Sequence, residues 1–351
     1  MEKRKALYFY TGLSSFVRKD IRIISDQFDV KPFAFLPKTK IRIIFIFLSE
    51  FFFILRNIIQ ADILICQFGG YHTLFPTLFG RIFRKPCLII TGGADCAALP
   101  SIHYGNFSNK ALSLFLKSSY RLATHISPVH ETLMFSKYTY QDNDFPNQGL
   151  LYFCPKVKTP YTVIYNGYDS SVWKKNKQKV KNRFITVVAN IKLTYTCELK
   201  GIDLITQVAP RFPDCEFYVI GIPEEYDLQE TSKNIKKIAF VNHDEIASYF
   251  SEAEFYLQLS MSEGFPNALC EAMLCECIPV VSNVGAMPFI VDDCGFILER
   301  RDVDLLEQRI TSAITCDKEA MGKKARNRIS SSFTEDMRKE KLLNLINKLL
   351  Q

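Results

Sequence analysis

Short apolar runs alternate with longer, helix-like segments twice along this chain, and that alternation restricts the fold more than any other feature. The first series has apolar runs at 6–10, 62–67 and 86–91 and a helix-like segment near 110–122, and the second has runs at 184–188, near 238–241 and at 278–282. Apolar runs of this length are typical of strands buried on both faces, and intervening helices indicate parallel sheets. We therefore predict an α/β chain with two doubly wound parallel sheets.

A polar stretch separates the two series. Residues 142–159 are polar and irregular, residues 161–169 predict a strand that runs into a turn, and a lysine cluster at 174–181 predicts an exposed linker. An amphipathic segment at about 335–351 predicts a last helix after the second series. With 351 residues, the chain is long enough for two domains with separate cores.

One segment of the second series carries the clearest chemical signal. Residues 262–273 read Ser-Glu-Gly-Phe-Pro-Asn-Ala-Leu-Cys-Glu-Ala-Met, which separates Glu263 from Glu271 by eight positions. The flanking apolar runs predict a strand–loop–helix–strand unit, with Pro266 in the first helical turn. Free backbone N–H groups at a helix start bind anions, and a nearby acid suits sugar hydroxyls. This combination indicates a site for a sugar-nucleotide.

The same segment resembles the Glu-x7-Glu signature of the retaining glycosyltransferases of family 4. Further similarities are Ile-Pro-Val-Val-Ser at 278–282, Val-Gly-Ala at 284–286, and Val-Ile-Tyr-Asn-Gly-Tyr-Asp at 163–169, the element that ends the first domain in that family. The resemblance implies the GT-B fold, in which two Rossmann-like domains face a central cleft. It assigns acceptor binding to domain 1–170 and donor binding to domain 171–334, with the last helix packed back onto the first domain.

The resemblance also implies roles for single residues on the donor side. Glu263 would be catalytic and contact the donor sugar, and Glu271 would bind the ribose hydroxyls. Lys200 would bind the diphosphate, and Lys192 would stand in for an arginine that the family usually carries. The remaining donor-binding residues are Gly12 in a glycine loop, and Gly264, Phe265, Pro266, Asn267 and Ala268 in the motif.

Two residues of the first domain are candidates on the acceptor side. Asp95 ends Thr-Gly-Gly-Ala-Asp, which resembles a loop where relatives have His-Gly-x-Asp, and Gly92 stands where that histidine would be. The resemblance implies a catalytic Asp95, and an aspartate that stabilises a turn is the open alternative. His103 is a candidate acceptor-binding residue, with an ordinary surface-loop histidine as its alternative.

Cysteine and charge usage narrow the setting of the protein. Eleven cysteines without two Cys-x-x-Cys pairs, and a charged start without a signal-peptide pattern, indicate a reduced cytoplasmic protein without disulfides.

Residues 1–121 hold 17 Lys/Arg and 7 Asp/Glu, although the net charge of the whole chain is only +7. A basic, apolar first half suits an anionic membrane surface rather than nucleic acid. The apolar segment 41–56 contains Glu50, and it predicts a packed helix with interfacial contact left open.

The expected function is a retaining transfer of a sugar from a nucleotide-diphosphate sugar, by default a UDP-sugar, to a glycan or lipid-linked acceptor in cell-surface polysaccharide biosynthesis. The resemblance implies no metal and no further cofactor, and Asp142-Asn143-Asp144 is interpreted as a group of surface acids rather than as an Asp-x-Asp metal motif. The expected location is cytoplasmic, including the inner face of the cytoplasmic membrane. The open alternatives are a non-catalytic nucleotide-sugar-binding protein, and an epimerase or hydrolase on the same scaffold.

Overall fold

The computed structural model describes residues 3–37, 39–188, 196–223, 226, 228 and 232–351. Its first sheet has five parallel strands in the order β2-β1-β3-β4-β5. The elements of this sheet and the helices between its strands are β1 Arg4–Tyr10, α1 Ser15–Ser25, β2 Phe28–Ala34, α2 Lys40–Asn57, β3 Ile63–Gln67, α3 Leu74–Ile82, β4 Cys87–Thr91, α4 Lys110–Leu122 and β5 His125–Pro128. A small hairpin and a short helix follow, namely β6 Ser136–Lys137, β7 Asn147–Gln148 and α5 Leu150–Phe153.

Helices cover both faces of this first sheet because alternate residues of each strand point to opposite faces. Leu7 and Phe9 of β1 lie in a buried cluster with α2, α3 and α4. Ala6 and Tyr8 of the same strand lie in a second cluster with α1 and with the last helix of the chain. Both faces of the sheet are therefore buried, as the unbroken apolar runs predict.

The second sheet has six parallel strands in the order β10-β9-β8-β11-β12-β13. Its elements are β8 Val180–Val187, α6 Thr196–Lys200, α7 Ile202–Val208, β9 Glu216–Ile220, β10 Ile235–Ile238, α8 His243–Glu252, β11 Ala253–Gln258, α9 Asn267–Leu274, β12 Ile278–Ser282, α10 Met287–Val291 and β13 Phe296–Leu298. Three helices end the chain, namely α11 Val303–Thr315, α12 Lys318–Ser332 and α13 Glu335–Leu349. The predicted pair of doubly wound parallel sheets is confirmed.

The last helix, α13, packs on the first domain. Leu342 and Ile346 lie in the buried cluster that covers one face of the first sheet. Arg338 forms a buried ion pair with Asp20 of α1, with 2.6 Å between Nη2 and Oδ2. The same guanidinium donates to the carbonyl oxygen of Ile164 at 3.2 Å. The chain therefore crosses between the domains twice.

Three local predictions differ from the structure. The strand expected at 238–241 is β10 at Ile235–Ile238, because Lys236 and Lys237 hide its short apolar pattern. Residues 161–169 do not form a regular strand. Only the first part of this segment runs along β5, with hydrogen bonds from Thr162 N–H to Ile126 O and from Ile164 N–H to Pro128 O. Pro266 precedes α9 as its N-cap instead of lying in the first turn.

Candidate active site

Both sheets reverse their strand order beside their first strand, which is where doubly wound sheets bind ligands. In the first sheet this point lies between β1 and β3, and in the second it lies between β8 and β11. The loops after β1, β3 and β4 face the loop that follows β11, and two cavities lie between the domains. The crevice is therefore built from the carboxyl ends of strands in both domains.

The carboxylate of Glu263 lies at the exit of β11 and is held by two side chains. Lys200 Nζ lies 2.5 Å from Glu263 Oε1, and Gln258 Nε2 donates to the same oxygen at 3.1 Å. Gln258 is itself oriented by the hydroxyl of Tyr256, which donates to its Oε1 at 2.8 Å. This network fixes one carboxylate oxygen and leaves Glu263 lining a cavity of about 810 Å³.

The backbone turn beside Lys200 explains how this lysine reaches Glu263. Gly201 has a φ of +69°, and a Cβ there would lie 2.4 Å from the carbonyl oxygen of Leu259. The Met261 N–H donates to the carbonyl oxygen of Leu199 at 2.8 Å, which fastens the end of α6 to the loop after β11. The Lys200-Gly201 pair therefore needs glycine for a close backbone approach.

Glu271 lines the second cavity, of about 880 Å³, from the first turns of α9. Glu271 is only 7% exposed, and its carboxylate interacts electrostatically with the ammonium group of Lys19 on α1. Burial lowers the pKa of Lys19, while the acids Glu335 and Glu271 raise it. The Lys19 ammonium donates to the carbonyl oxygen of Gly167 at 2.6 Å. This cavity combines acids with cations from α1, which suits hydroxyls together with an anion.

Asp95 organises the loops of the first domain through both oxygens. Oδ1 accepts from the N–H groups of Gly92 at 3.1 Å and Gly93 at 2.9 Å. Oδ2 accepts from Gly69 N–H at 2.8 Å and from the Tyr120 hydroxyl at 3.1 Å. Burial raises the pKa of Asp95, and these donors lower it. The residue lines the cavity of Glu263, but its geometry favours a positioning role over direct proton transfer.

The backbones of the two domains come into close contact at glycines. A Cβ at Gly264 would lie 1.9 Å from the carbonyl oxygen of Gly92, so only glycine fits there. Asn267 Oδ1 accepts from Asn166 Nδ2 at 3.1 Å and from the Tyr168 hydroxyl at 2.8 Å. The side chain of Asn267 thus bridges the domains, a role that its place in the motif did not predict.

Three other motif residues, Phe265, Pro266 and Ala268, line neither of the two cavities. Phe265 is buried, and its ring stacks on Tyr165 with 5.7 Å between centroids. Pro266 is buried before α9, and Ala268 is half-buried in its first turn. The motif therefore supplies packing and backbone geometry at these positions, and their contact with a donor stays a prediction.

The remaining predicted residues have three different placements. Gly12 is exposed in the loop after β1, and a Cβ there would meet nothing within 4 Å. Lys192 lies outside the described residues. His103 is exposed with a φ of +52°, and it lines neither of the two cavities. Tyr104 and Asn106 line the cavity of Glu263 instead, so the structure gives no support to His103 as an acceptor-binding residue.

Sequence reasoning missed several residues that shape the site. Gln258 ends a buried strand, and a polar residue at the carboxyl end of a parallel strand is a signal that could have found it. Lys19 lies on α1, the helix that follows the glycine loop. A cation near the start of that helix is a signal that could have marked Lys19 as a site residue. Tyr138 donates to the carbonyl oxygen of Met261 at 3.0 Å from a remote hairpin, and no local pattern indicates that contact.

Potential metal ligands, cysteines and apolar helices are the remaining features that bear on function. Across the described part of the chain, no group of three or more His, Cys, Asp or Glu is arranged to hold a metal ion. All eleven cysteines are free, and nine of them are buried. No helix within the described ranges has the length and apolarity needed to cross a bilayer.

Comparisons with known proteins agree with this architecture. Residues 171–328 match the family model described as "Glycosyl transferases group 1". HepE from Anabaena, solved in complex with UDP, superposes with a TM-score of 0.71 at 14% identity, and the match covers 98% of this chain and 100% of that one. The whole chain therefore has the GT-B fold.

Curated relatives match a shorter region. The gpi3 subunit of the phosphatidylinositol N-acetylglucosaminyltransferase of Schizosaccharomyces pombe is 27% identical over 165 residues, 44% of this chain and 36% of that protein. The capsular polysaccharide biosynthesis glycosyltransferase CapH of Staphylococcus aureus is 33% identical over 134 residues, 35% of this chain and 37% of that protein. The chain thus spans little more than a third of the length of these relatives.

Proposed function

We propose that the protein transfers a sugar from a nucleotide-diphosphate sugar to an acceptor hydroxyl with retention of anomeric configuration. The observation that carries this proposal is the division of one motif between two cavities. Glu271 lines the cavity of about 880 Å³, Glu263 lines that of about 810 Å³, and the start of α9 lies between them. A two-part ligand with an anionic centre fits such an arrangement.

In this proposal each part of the donor has its own contacts. Glu271 accepts hydrogen bonds from the ribose hydroxyls, and the diphosphate lies against the backbone N–H groups at the start of α9. The sugar enters the other cavity beside Glu263. The bond from the anomeric carbon to the diphosphate oxygen breaks, and the nucleoside diphosphate leaves with the electron pair. The acceptor oxygen bonds to the same face of the sugar, and the proton of its hydroxyl passes to the departing diphosphate. Lys200 lies close enough to stabilise the charge that develops there.

The acceptor is proposed to be a glycan or a lipid-linked glycan, in cell-surface polysaccharide synthesis at the cytoplasmic side of the membrane. Support comes from two sources. The cavity of Glu263 has apolar and aromatic walls that suit the C–H faces of a sugar, formed in part by Phe35, Leu36 and Tyr71. Relatives include the capsular polysaccharide enzyme and the phosphatidylinositol enzyme subunit named above. UDP is the proposed nucleotide, and HepE binds it on the same fold.

The first experiment is thermal unfolding with UDP, GDP, ADP and their sugar conjugates. A ligand that binds the native state raises the melting temperature by mass action. We expect a shift with one nucleotide family, reduced in Glu271→Gln and kept in Glu319→Gln, a matched change on the surface of α12. No shift with any nucleotide in a folded protein would contradict the proposal.

The second experiment examines the reaction itself. Incubation with the donor so identified and a lipid-linked acceptor should give a product whose anomeric configuration, read from NMR coupling constants, is that of the donor. Transfer should persist in EDTA. Interconversion of donor sugars without an acceptor would indicate an epimerase, and equal release to water would indicate a hydrolase. Nucleotide binding without any turnover would indicate a binding protein.

A further inference from the structure

We propose that the outer face of α2, extended by residues of α3 and α4, docks on an anionic lipid bilayer. We call this surface the α2 face. Its apolar residues on α2 and just after that helix are all exposed, and they are Ile44, Phe45, Leu48, Phe52, Leu55 and Ile59. The inference concerns where the protein is held, which goes beyond the transfer reaction.

The apolar residues of the α2 face form one stripe. At about 100° per residue, the six positions fall within about 100° of arc on the helix. Phe45 is 66% exposed and Ile59 is 78% exposed, whereas Ile54, about 130° around the helix from the middle of the stripe, is buried. An ordinary surface helix keeps one apolar stripe against the core and is polar outside. This helix has a second apolar stripe facing outward, which calls for another apolar surface.

Neighbouring helices continue the same surface. Phe51 of α2 contacts Phe79 of α3 with 5.4 Å between ring centroids, and beyond it Ile82 of α3 is 62% exposed. On the other side, Phe47 of α2 contacts Phe115 of α4 with 6.0 Å between centroids. The adjacent Leu114 of α4 is 67% exposed. The apolar area therefore spans three helices rather than one.

Charge around the α2 face has one sign. Residues 40–121 contain nine lysines or arginines and only three acids. Glu50 and Asp95 are buried, and Asp62 accepts a hydrogen bond from Lys5 N–H at 2.7 Å. Arg42 and Arg56 are exposed on α2. If Ile44 marks 0° around the helix axis and the apolar stripe ends at about 100°, Arg56 lies at about 120° and Arg42 at about 160°, beside the stripe. Basic side chains that flank exposed apolar ones match a bilayer with anionic headgroups.

Charge and helix length argue against two other arrangements of the α2 face. A second copy of the chain would bring two basic rims together across a two-fold axis, and like charges oppose that contact. A bilayer-spanning position is excluded for α2, since no helix of the described residues is long and apolar enough to cross. A helix lying in the headgroup region keeps its apolar side in lipid and its arginines at the phosphates.

The α2 face adjoins the proposed acceptor cavity. Phe35 and Tyr71 line that cavity, and both contact Phe47 of α2, at 5.2 Å and 6.4 Å between centroids. Leu36 also lines the cavity, is 52% exposed, and lies just before α2 in the chain. An amphiphilic molecule held in the bilayer would therefore meet the cavity at the edge of the docking surface.

Vesicle flotation tests this inference with purified protein and no donor or acceptor. The probes are phosphatidylcholine vesicles with and without phosphatidylglycerol, each at low and at physiological ionic strength. We expect the protein to float with the anionic vesicles and to remain in solution with the neutral ones. Since no reaction is involved, a failure here leaves the proposed transfer standing.

Two double variants separate the apolar and the electrostatic parts. Phe45→Ser with Phe52→Ser should weaken binding to anionic vesicles at both salt concentrations. Arg42→Glu with Arg56→Glu should weaken binding at least about tenfold at low salt, because each basic residue near the surface contributes attraction. Controls off the α2 face are Phe135→Ser, another exposed phenylalanine, and Lys348→Glu on α13. Both controls should bind like the wild type.

Each outcome decides the inference. Loss in both double variants with unchanged melting temperatures supports it. No binding of the wild type to anionic vesicles, or equal binding by all variants, overturns it. A dimer seen by light scattering that dissociates in Phe45→Ser with Phe52→Ser would also overturn it, since the α2 face would then be covered by a second copy.

Discussion

The carboxylate of Glu263 is held by neighbours whose contributions can be separated by substitution. In Gln258→Met the amide that donates at 3.1 Å is lost, while the volume of the side chain is nearly kept. A hydrogen bond to a charged group contributes about 1.5–3 kcal/mol. We therefore expect kcat to fall about tenfold to a hundredfold, with a smaller change in the KM for the donor.

Tyr256→Phe supplies the graded comparison. It leaves the amide of Gln258 in place and removes only the hydroxyl that orients it, so its effect on kcat should be smaller. A Gln258→Met variant with unchanged kcat would show that Glu263 does not depend on this contact.

Glu50 is a buried acid whose protonation should control stability. Both of its oxygens lack a hydrogen-bond partner among the described residues, and burial raises its pKa to about 9 from the ordinary 4.5. Between those pH values the unfolded chain releases a proton that the folded protein keeps, so stability falls as pH rises through this window. The expected slope is about 1.4 kcal/mol per pH unit.

Urea unfolding at several pH values compares the wild type with Glu50→Gln. The variant should be the more stable protein above neutral pH, by a margin that grows with pH until about 9. Glu319→Gln, on an exposed part of α12, should follow the wild type. If the unfolding free energies of Glu50→Gln and the wild type changed with pH in the same way, Glu50 would not be a buried carboxyl without a partner.

At the scale of elements, a buried ion pair anchors α13 to the first domain. Arg338 and Asp20 are almost fully buried side chains, so removing the cation leaves an acid uncompensated in the core. Arg338→Met should cost about 3–5 kcal/mol of unfolding free energy, measured by urea denaturation. Lys339 lies on the same helix as Arg338 and forms an exposed ion pair with Asp26, which follows α1. Lys339→Met should therefore unfold like the wild type.

A double variant distinguishes charge from packing in this pair. Asp20→Asn combined with Arg338→Met removes the stranded acid and should recover much of the lost stability. If the double variant is no better than Arg338→Met alone, packing of the arginine and its bonds to backbone carbonyls would explain the cost.

The whole molecule depends on how closely its two domains can approach. A methyl group at Gly264 would lie 1.9 Å from the carbonyl oxygen of Gly92 in the other domain. Because backbone cannot yield as a side chain can, Gly264→Ala should hold the domains apart and lower sugar transfer at least about a hundredfold. Small-angle X-ray scattering should show a larger radius of gyration.

Gly12→Ala provides the steric comparison by a measure other than activity. Its added methyl would meet nothing within 4 Å, so its melting temperature and radius of gyration should equal those of the wild type. Full transfer activity in Gly264→Ala would show that this close approach is not needed for the reaction.

The sequence by itself determined the elements with strong apolar patterns. The helix at 110–122 and the strand at 278–282 have the predicted bounds, since the apolar period of a buried segment is a local property. β10 was misplaced because its lysines broke that period. The motif similarly allowed Glu263 and Glu271 to be singled out, because their eight-residue spacing is written in the chain.

Only the tertiary structure decided which distant groups meet. Lys200 and Glu263 come together across the ends of different elements. Asp95 is surrounded by donors from two loops and from α4, and Asn267 bonds to the other domain. His103, from the same part of the chain as Tyr104, turns outward. Such contacts depend on strand order and on the packing of two domains. The local apolar period predicts which side of an element is buried, but it does not predict which distant residues will pack against that side.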